Sequence, residues 1–282
     1  MSSTIATTPD GVSLALHDLG GAGSPALLVH GTSFHGRSLG PLARNLARRL
    51  HCLAPDLRGH GESGMPANAR FDWVEFGTDV LTSVEALGLE RPVGVGHSAG
   101  AAALLLAEEA RPGTFSALYC FEPAMFDPDG PHKQDLSRPL ARGARQRREI
   151  FASREEAYDN YASKPPLDVL DPEALAAYVE FGFVDLSDGT VLLRCRGETE
   201  ARIYESGIRN PAFPGLAKIE CPVVLACGSE SEDFNQVTLG RLAARLAKSR
   251  LEVLPSMGHF GPLQDPKAVA ESVIRALDTA PA

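Results

Sequence analysis

Gly96-His97-Ser98-Ala99-Gly100 sets one hydroxyl between two glycines, after a short apolar run and before the Ala- and Leu-rich stretch 101–110. A Gly-x-Ser-x-Gly pentapeptide between a strand and a helix is a sharp turn that projects its serine, and the glycines let the backbone make it. Ser98 is therefore the candidate nucleophile. The amide of Ala99 opens the helix, where it can donate to a developing oxyanion with the helix dipole behind it. A second backbone donor is expected from the loop 29–36, Val-His-Gly-Thr-Ser-Phe-His-Gly, and by position it is Thr32. In the same loop, His35 reads as an exposed histidine.

A serine needs a base. Of the eight histidines, His259 sits in a glycine-flanked loop, Met-Gly-His-Phe-Gly, between the last strand-like run and the last helix-like run. A loop in that place reaches the C-terminal ends of the strands, where Ser98 also sits, so His259 is the candidate general base. A third group must hold its tautomer, and the carboxylates that follow strand-like runs are Glu122, Glu230, Glu232 and Asp233.

These side chains need a frame to hold them. Strand-length apolar runs at 25–31, 92–100, 115–126, 221–228 and 251–256, with a strand leading into a Gly-rich loop at 51–63, alternate with helical spacing at 38–50, 73–89, 101–110, 236–249 and 265–278. That alternation predicts βα units on a mainly parallel sheet. It stops between about 127 and 215, where the stretches 139–152 and 171–183 read as helices. The expected organisation is a core of residues 1–126 and 216–282 interrupted by a helical cap, 127–215, with no further sheet in it. A net charge of −9 argues against a general nucleic-acid binder. Five cysteines without a C-x-x-C pair suit a reducing compartment. The N-terminal stretch lacks the basic and apolar regions of a secretory signal, and the longest apolar run is too short to span a bilayer. The expected setting is cytoplasmic, with a small-molecule substrate, no nucleic-acid or membrane partner, and no cofactor or metal.

Taken in order, His-Gly-Thr-Ser-Phe-His-Gly, Pro-Asp-Leu-Arg-Gly-His-Gly-Glu-Ser, Gly-His-Ser-Ala-Gly and Gly-His-Phe-Gly-Pro-Leu-Gln-Asp-Pro resemble the α/β-hydrolase fold superfamily. The match covers roughly 10–126 and 215–282. The resemblance implies a Ser-His-acid triad, and it makes Asp56, Arg58 and His60 part of a structural loop. It also implies an acid three residues after Gly228, where this chain has Ser231. A subset of the superfamily carries the acid instead at the end of the strand after the nucleophile helix, some two dozen residues past the nucleophile. That place is held by Glu122, which directly follows an apolar strand, where an unpaired carboxylate would be costly. Glu122 is the chosen acid, with Glu232 and Asp233 in reserve.

The expected activity is hydrolysis of a carboxylic ester or lactone through an acyl-enzyme. C–C bond hydrolysis and perhydrolysis can run on the same triad. A binding protein on a hydrolase fold is the alternative outside enzymes. The five arginines 138, 142, 145, 147 and 148 could favour an anionic substrate, but read more readily as a solvated face. The aromatics Phe126, Tyr158, Tyr161, Tyr178, Phe181 and Phe183 are candidates for lining the pocket or for the core of the cap.

Overall fold

The computed structural model describes residues 3–125, 137–207 and 213–278. Eight strands form one sheet: β1 (Thr4–Thr7), β2 (Ser13–Gly20), β3 (Ser24–Val29), β4 (Leu50–Pro55), β5 (Val93–His97), β6 (Ala117–Phe121), β10 (Val223–Gly228) and β11 (Ser249–Leu254). Their spatial order is β1-β2-β4-β3-β5-β6-β10-β11. The pairs β1/β2 and β2/β4 are antiparallel, and every other neighbouring pair is parallel. The leading strands β1 and β2 were not among the runs read as strands. They are half-exposed, so they lack the continuous apolar run of a strand buried on both faces.

Helices cover both faces. On one lie α1 (Gly40–Leu46) and α10 (Pro266–Asp278), and on the other α2 (Trp73–Ala86), α3 (Ala99–Ala110) and α8 (Gln236–Ala243). The period-2 geometry of β3 divides its side chains between the two cores. Leu28 packs with Leu42, Leu46, Tyr119 and Val273, whereas Leu27 and Val29 pack with Phe76, Leu104, Leu105 and Leu225. The expected helix 38–50 is shorter, because a 3-10 turn at Gly36–Leu39 precedes α1.

The segment between β6 and β10 departs from the all-helical expectation. Its described part holds α4 (Ser137–Gln146), α5 (Arg154–Ala162), α6 (Pro172–Gly182) and α7 (Gly197–Gly207). It also holds a small antiparallel sheet, β7 (Ile150–Phe151), β8 (Phe183–Asp185) and β9 (Val191–Leu193), in the order β7-β9-β8. Two- and three-residue strands give too few alternations to register in the sequence. The stretch 139–152 thus ends its helix at Gln146 and turns into a strand, which buries Phe151 against Tyr161 and Phe183. Helix α6 starts at Pro172 because Asp171 caps it, accepting from the amides of Glu173 and Ala174.

Candidate active site

The loops at the C-terminal ends of β3, β5, β6, β10 and β11 converge, as crevices do on open parallel sheets. Ser98 stands between β5 and α3 with φ 51° and ψ −114°, a conformation that an L-residue adopts only under constraint. Three backbone bonds hold it: Ser98 N–H donates to Phe121 O, and the amides of Ala102 and Ala124 donate to Ser98 O. A Cβ on Gly100 would lie 2.2 Å from the carbonyl oxygen of Val29, so only glycine lets the helix start this close to β3.

His259 lies in the loop between β11 and the short helix α9 (Gly261–Gln264). Its Nε2 is 3.1 Å from Ser98 Oγ, and its Nδ1 is 2.7 Å from Glu122 Oε2. A carboxylate accepts, so Nδ1 carries the hydrogen, and Nε2 offers its lone pair to the serine hydroxyl. Phe234 stacks on the imidazole with centroids 4.7 Å apart. About a third of the imidazole side chain is exposed, whereas Glu122 is fully buried. The other oxygen of Glu122, Oε1, accepts from the amide of Gly228 at 2.8 Å and from the hydroxyl of Ser231. A buried carboxylate with three donors around it has exchanged its hydration for fixed hydrogen bonds.

The structure therefore brings Ser98, His259 and Glu122 together. Of the reserve carboxylates, Glu232 is exposed and Asp233 half-buried, and Nδ1 of His259 is already engaged by Glu122. Ala99 opens α3, so its N–H lies in the first helical turn, which has no intrahelical acceptor. The loop that carries Thr32 presses on the nucleophile, since a Cβ on Gly31 would lie 3.2 Å from Ser98 Cβ. His35 is not exposed as expected. It is buried, with Nε2 3.2 Å from the carbonyl of Tyr178 and its ring stacked on that tyrosine, so α6 rests on this loop.

Two histidines serve as supports that the sequence reading left without a role. His97 donates from Nε2 to the backbone carbonyl of His259 at 2.8 Å. Burial and the neighbouring His259 keep its basicity well below the usual histidine range, so it is a neutral strut. His30 is pushed down to about 3 by burial. It donates from Nδ1 to Gly31 O and accepts at Nε2 from the amide of Leu57, pinning the Thr32 loop to the loop after β4. The signal for both lay in their position beside motif glycines. Asp56 sits beneath, accepting from the amides of Gly36 and Glu62, with His17 Nε2 3.0 Å away. Buried Arg58 pairs with Asp79 and Asp10, and buried His60 bonds the carbonyl of Arg58, so these side chains hold the loop together.

The arginines divide. Arg145 and Arg148 lie on the surface, paired with Glu198, Glu205 and Glu156. Arg147 is largely buried and pairs with Glu200, and it donates to the hydroxyls of Tyr178 and Tyr161. Its charge is balanced within the fold. Tyr161, Tyr178 and Phe183 belong to a buried cluster with Tyr158 packed against it, Phe181 is exposed under Arg37, and Phe126 lies outside the described residues. Among the described residues no three His, Cys, Asp or Glu side chains are grouped to hold a metal ion, and no helix is long and apolar enough to cross a membrane.

Residues 26–272 match the model of the alpha/beta hydrolase family, and the chain belongs to that family. An uncharacterized protein of Mycobacterium tuberculosis is 33% identical over 82 residues, 29% of this chain and 24% of that protein. The chain thus spans about a quarter of the length of that relative. A 2-(acetamidomethylene)succinate hydrolase of Mesorhizobium japonicum is 21% identical over 261 residues, 92% of this chain and 89% of the relative. The crystal structure of an E-2-(acetamidomethylene)succinate hydrolase superposes with a TM-score of 0.84 at 18% identity, covering 99% of this chain and all of that one. An enol-lactonase from Burkholderia xenovorans superposes with a TM-score of 0.74 at 17% identity, covering 98% of this chain and 100% of that one. At these identities the structural likeness is one of fold.

Proposed function

We propose that this member of the alpha/beta hydrolase family is a serine hydrolase acting on a carboxylic ester or lactone of a small molecule. The observation that carries the reading is the unbroken chain from Ser98 Oγ through both nitrogens of His259 to buried Glu122. Ser98 attacks the carbonyl carbon while His259 Nε2 takes its proton, and Glu122 stabilises the imidazolium. The N–H groups of Thr32 and Ala99 receive the oxyanion. His259 returns the proton to the leaving group as the C–O bond breaks. Water, deprotonated by the same nitrogen, then releases the acid from Ser98.

Residues 127–215 are read as a cap over the core of 1–126 and 216–282. The contacts of α6 with the Thr32 loop support a role for that segment in choosing the substrate. The five cysteines are all buried and unpaired, which supports a reducing, cytoplasmic setting. C–C bond hydrolysis and perhydrolysis on the same triad are variants of this reading.

A second reading is favoured by the match with 2-(acetamidomethylene)succinate hydrolase over 92% of this chain. On it, the same serine attacks a carbonyl of a substrate of that class in place of a simple ester. Intact-mass analysis after fluorophosphonate treatment tests the shared premise. One adduct on the wild type and none on Ser98→Ala supports an activated serine. No adduct on either overturns it and makes a binding protein the leading reading. A panel of esters, lactones and 2-(acetamidomethylene)succinate then separates the two substrate readings.

A further inference from the structure

Glu122 leaves the end of β6, and the turn 228–231 leaves the end of β10. These strands are parallel neighbours, with Ala226 opposite Phe121 in the register, so the two loops begin side by side. The turn is locked on its other side as well. Ser229 N–H donates to Leu254 O, Glu230 N–H donates to Met257 O, and Ser256 N–H donates to Ser229 Oγ. The segment that carries His259 is thereby tied to the turn that carries Ser231. Three residues further on, Phe234 stacks on the imidazole.

Within this frame the Ser231 hydroxyl points at Glu122 Oε1 and shares it with the amide of Gly228. A carboxylate on a three-bond stem rotates readily about its last torsion. Two donors on Oε1 stop that rotation and turn Oε2 toward Nδ1 of His259. With Ser231 removed, only the backbone donor remains, and the carboxylate can swing or admit a water.

We propose that Ser231 is a positioning residue for the acid, setting the orientation of Glu122 toward Nδ1 of His259. This rests on the serine-hydrolase reading above. Loss of a donor lets the carboxylate turn from Nδ1, so it holds the imidazolium less well and the aim of His259 at Ser98 is poorer.

The test follows the rate of Ser98 labelling by a fluorophosphonate across pH, for the wild type, Ser231→Ala and Ser231→Thr. No knowledge of the substrate is needed. Ser231→Ala is expected to label about 10-fold more slowly at neutral pH, the size of a lost hydrogen bond to a charged group, with an altered pH profile. Ser231→Thr keeps the hydroxyl and is expected to restore both rate and profile. The proton on His259 Nδ1 gives a second readout by NMR, expected far downfield in the wild type and Ser231→Thr and displaced upfield in Ser231→Ala. An Ala variant with the wild-type rate, profile and resonance overturns the proposal while leaving the hydrolase reading intact. A wild type that never labels fails at the earlier step.

Discussion

Glu122→Gln isolates the contribution of charge and tautomer with almost no change in volume. The native carboxylate faces three donors: Nδ1–H of His259, N–H of Gly228 and the hydroxyl of Ser231. An amide has one acceptor oxygen and one donor nitrogen. With its oxygen toward Gly228 and Ser231, its NH2 faces Nδ1 and forces the ring into the tautomer with hydrogen on Nε2. That hydrogen then points at Ser98 Oγ, and the base is lost. With its oxygen toward His259, its NH2 meets the amide of Gly228, a backbone donor that cannot turn away. Either arrangement also removes the negative charge that stabilises the imidazolium. A carboxylate-to-amide change at the equivalent place in a serine protease triad costs about four orders of magnitude in turnover, with wrong-tautomer histidine as the cause. A loss of about 10³- to 10⁴-fold is therefore expected, or about 4–5 kcal/mol of barrier. The assay is hydrolysis of an activated ester together with the fluorophosphonate labelling rate, with circular dichroism to verify the fold. Activity within 10-fold of the wild type would refute the argument and return the acid to Glu232 or Asp233.

The joint replacement of Glu232 and Asp233 by Ala is expected to change the labelling rate by less than about 3-fold, since near-surface charges act weakly through solvent; a dead variant shows that the acid was misassigned. Asp56→Asn is expected to destabilise the fold in a pH-dependent way. Burial alone would raise the Asp56 carboxyl, but the hydrogen bond and field of His17, together with the fields of His35 and His30, hold the group well below the usual carboxylate range. A depressed folded-state value means that the stabilisation is present above the unfolded value near ~4 and is lost as pH falls toward the folded one. The gap between wild type and variant in denaturant melts should therefore be full at pH 6 and narrow below about pH 4. A gap independent of pH would mean that Asp56 acts by shape alone.

The frame of the candidate site was legible because its constraints are local. Ser98 announces itself through glycines that permit one turn, and His259 through its place after the last strand. Glu122 was singled out by the resemblance to a subset of the superfamily, with an energetic reason beside it, since a carboxylate at the end of a buried strand needs partners. What escaped were features fixed by neighbours distant in sequence. His35 looked like a loop histidine, but α6, more than a hundred residues on, covers it with Tyr178. The strands β7, β8 and β9 are stabilised by one another across as much as the separation of Ile150 from Leu192 and carry too short a pattern to stand out. Arg147 was one of five arginines in a stretch expected to be helical, and only its partners Glu200, Tyr161 and Tyr178 set it apart from its exposed neighbours.

The position of the acid follows from the sheet. Parallel neighbours end at the same level, so β6 and β10 both deliver side chains to the space beneath His259. A carboxylate from either strand end lies within reach of the same nitrogen. What the geometry requires is one charge, since two carboxylates in that space would repel and one would take up a proton. Glu122 supplies the charge, and the turn after β10 supplies neutral donors, the Gly228 amide and the Ser231 hydroxyl. A serine at position 231 is therefore compatible with a working site where a second acid would compete with the first. The division of labour predicts that Ser231→Asp in the presence of Glu122 is worse for Ser98 labelling than Ser231→Ala, because it adds a like charge where a donor is needed. If Ser231→Asp instead labels as fast as the wild type, the space beneath His259 tolerates two carboxylates, and the case for Ser231 as a donor to Glu122 falls.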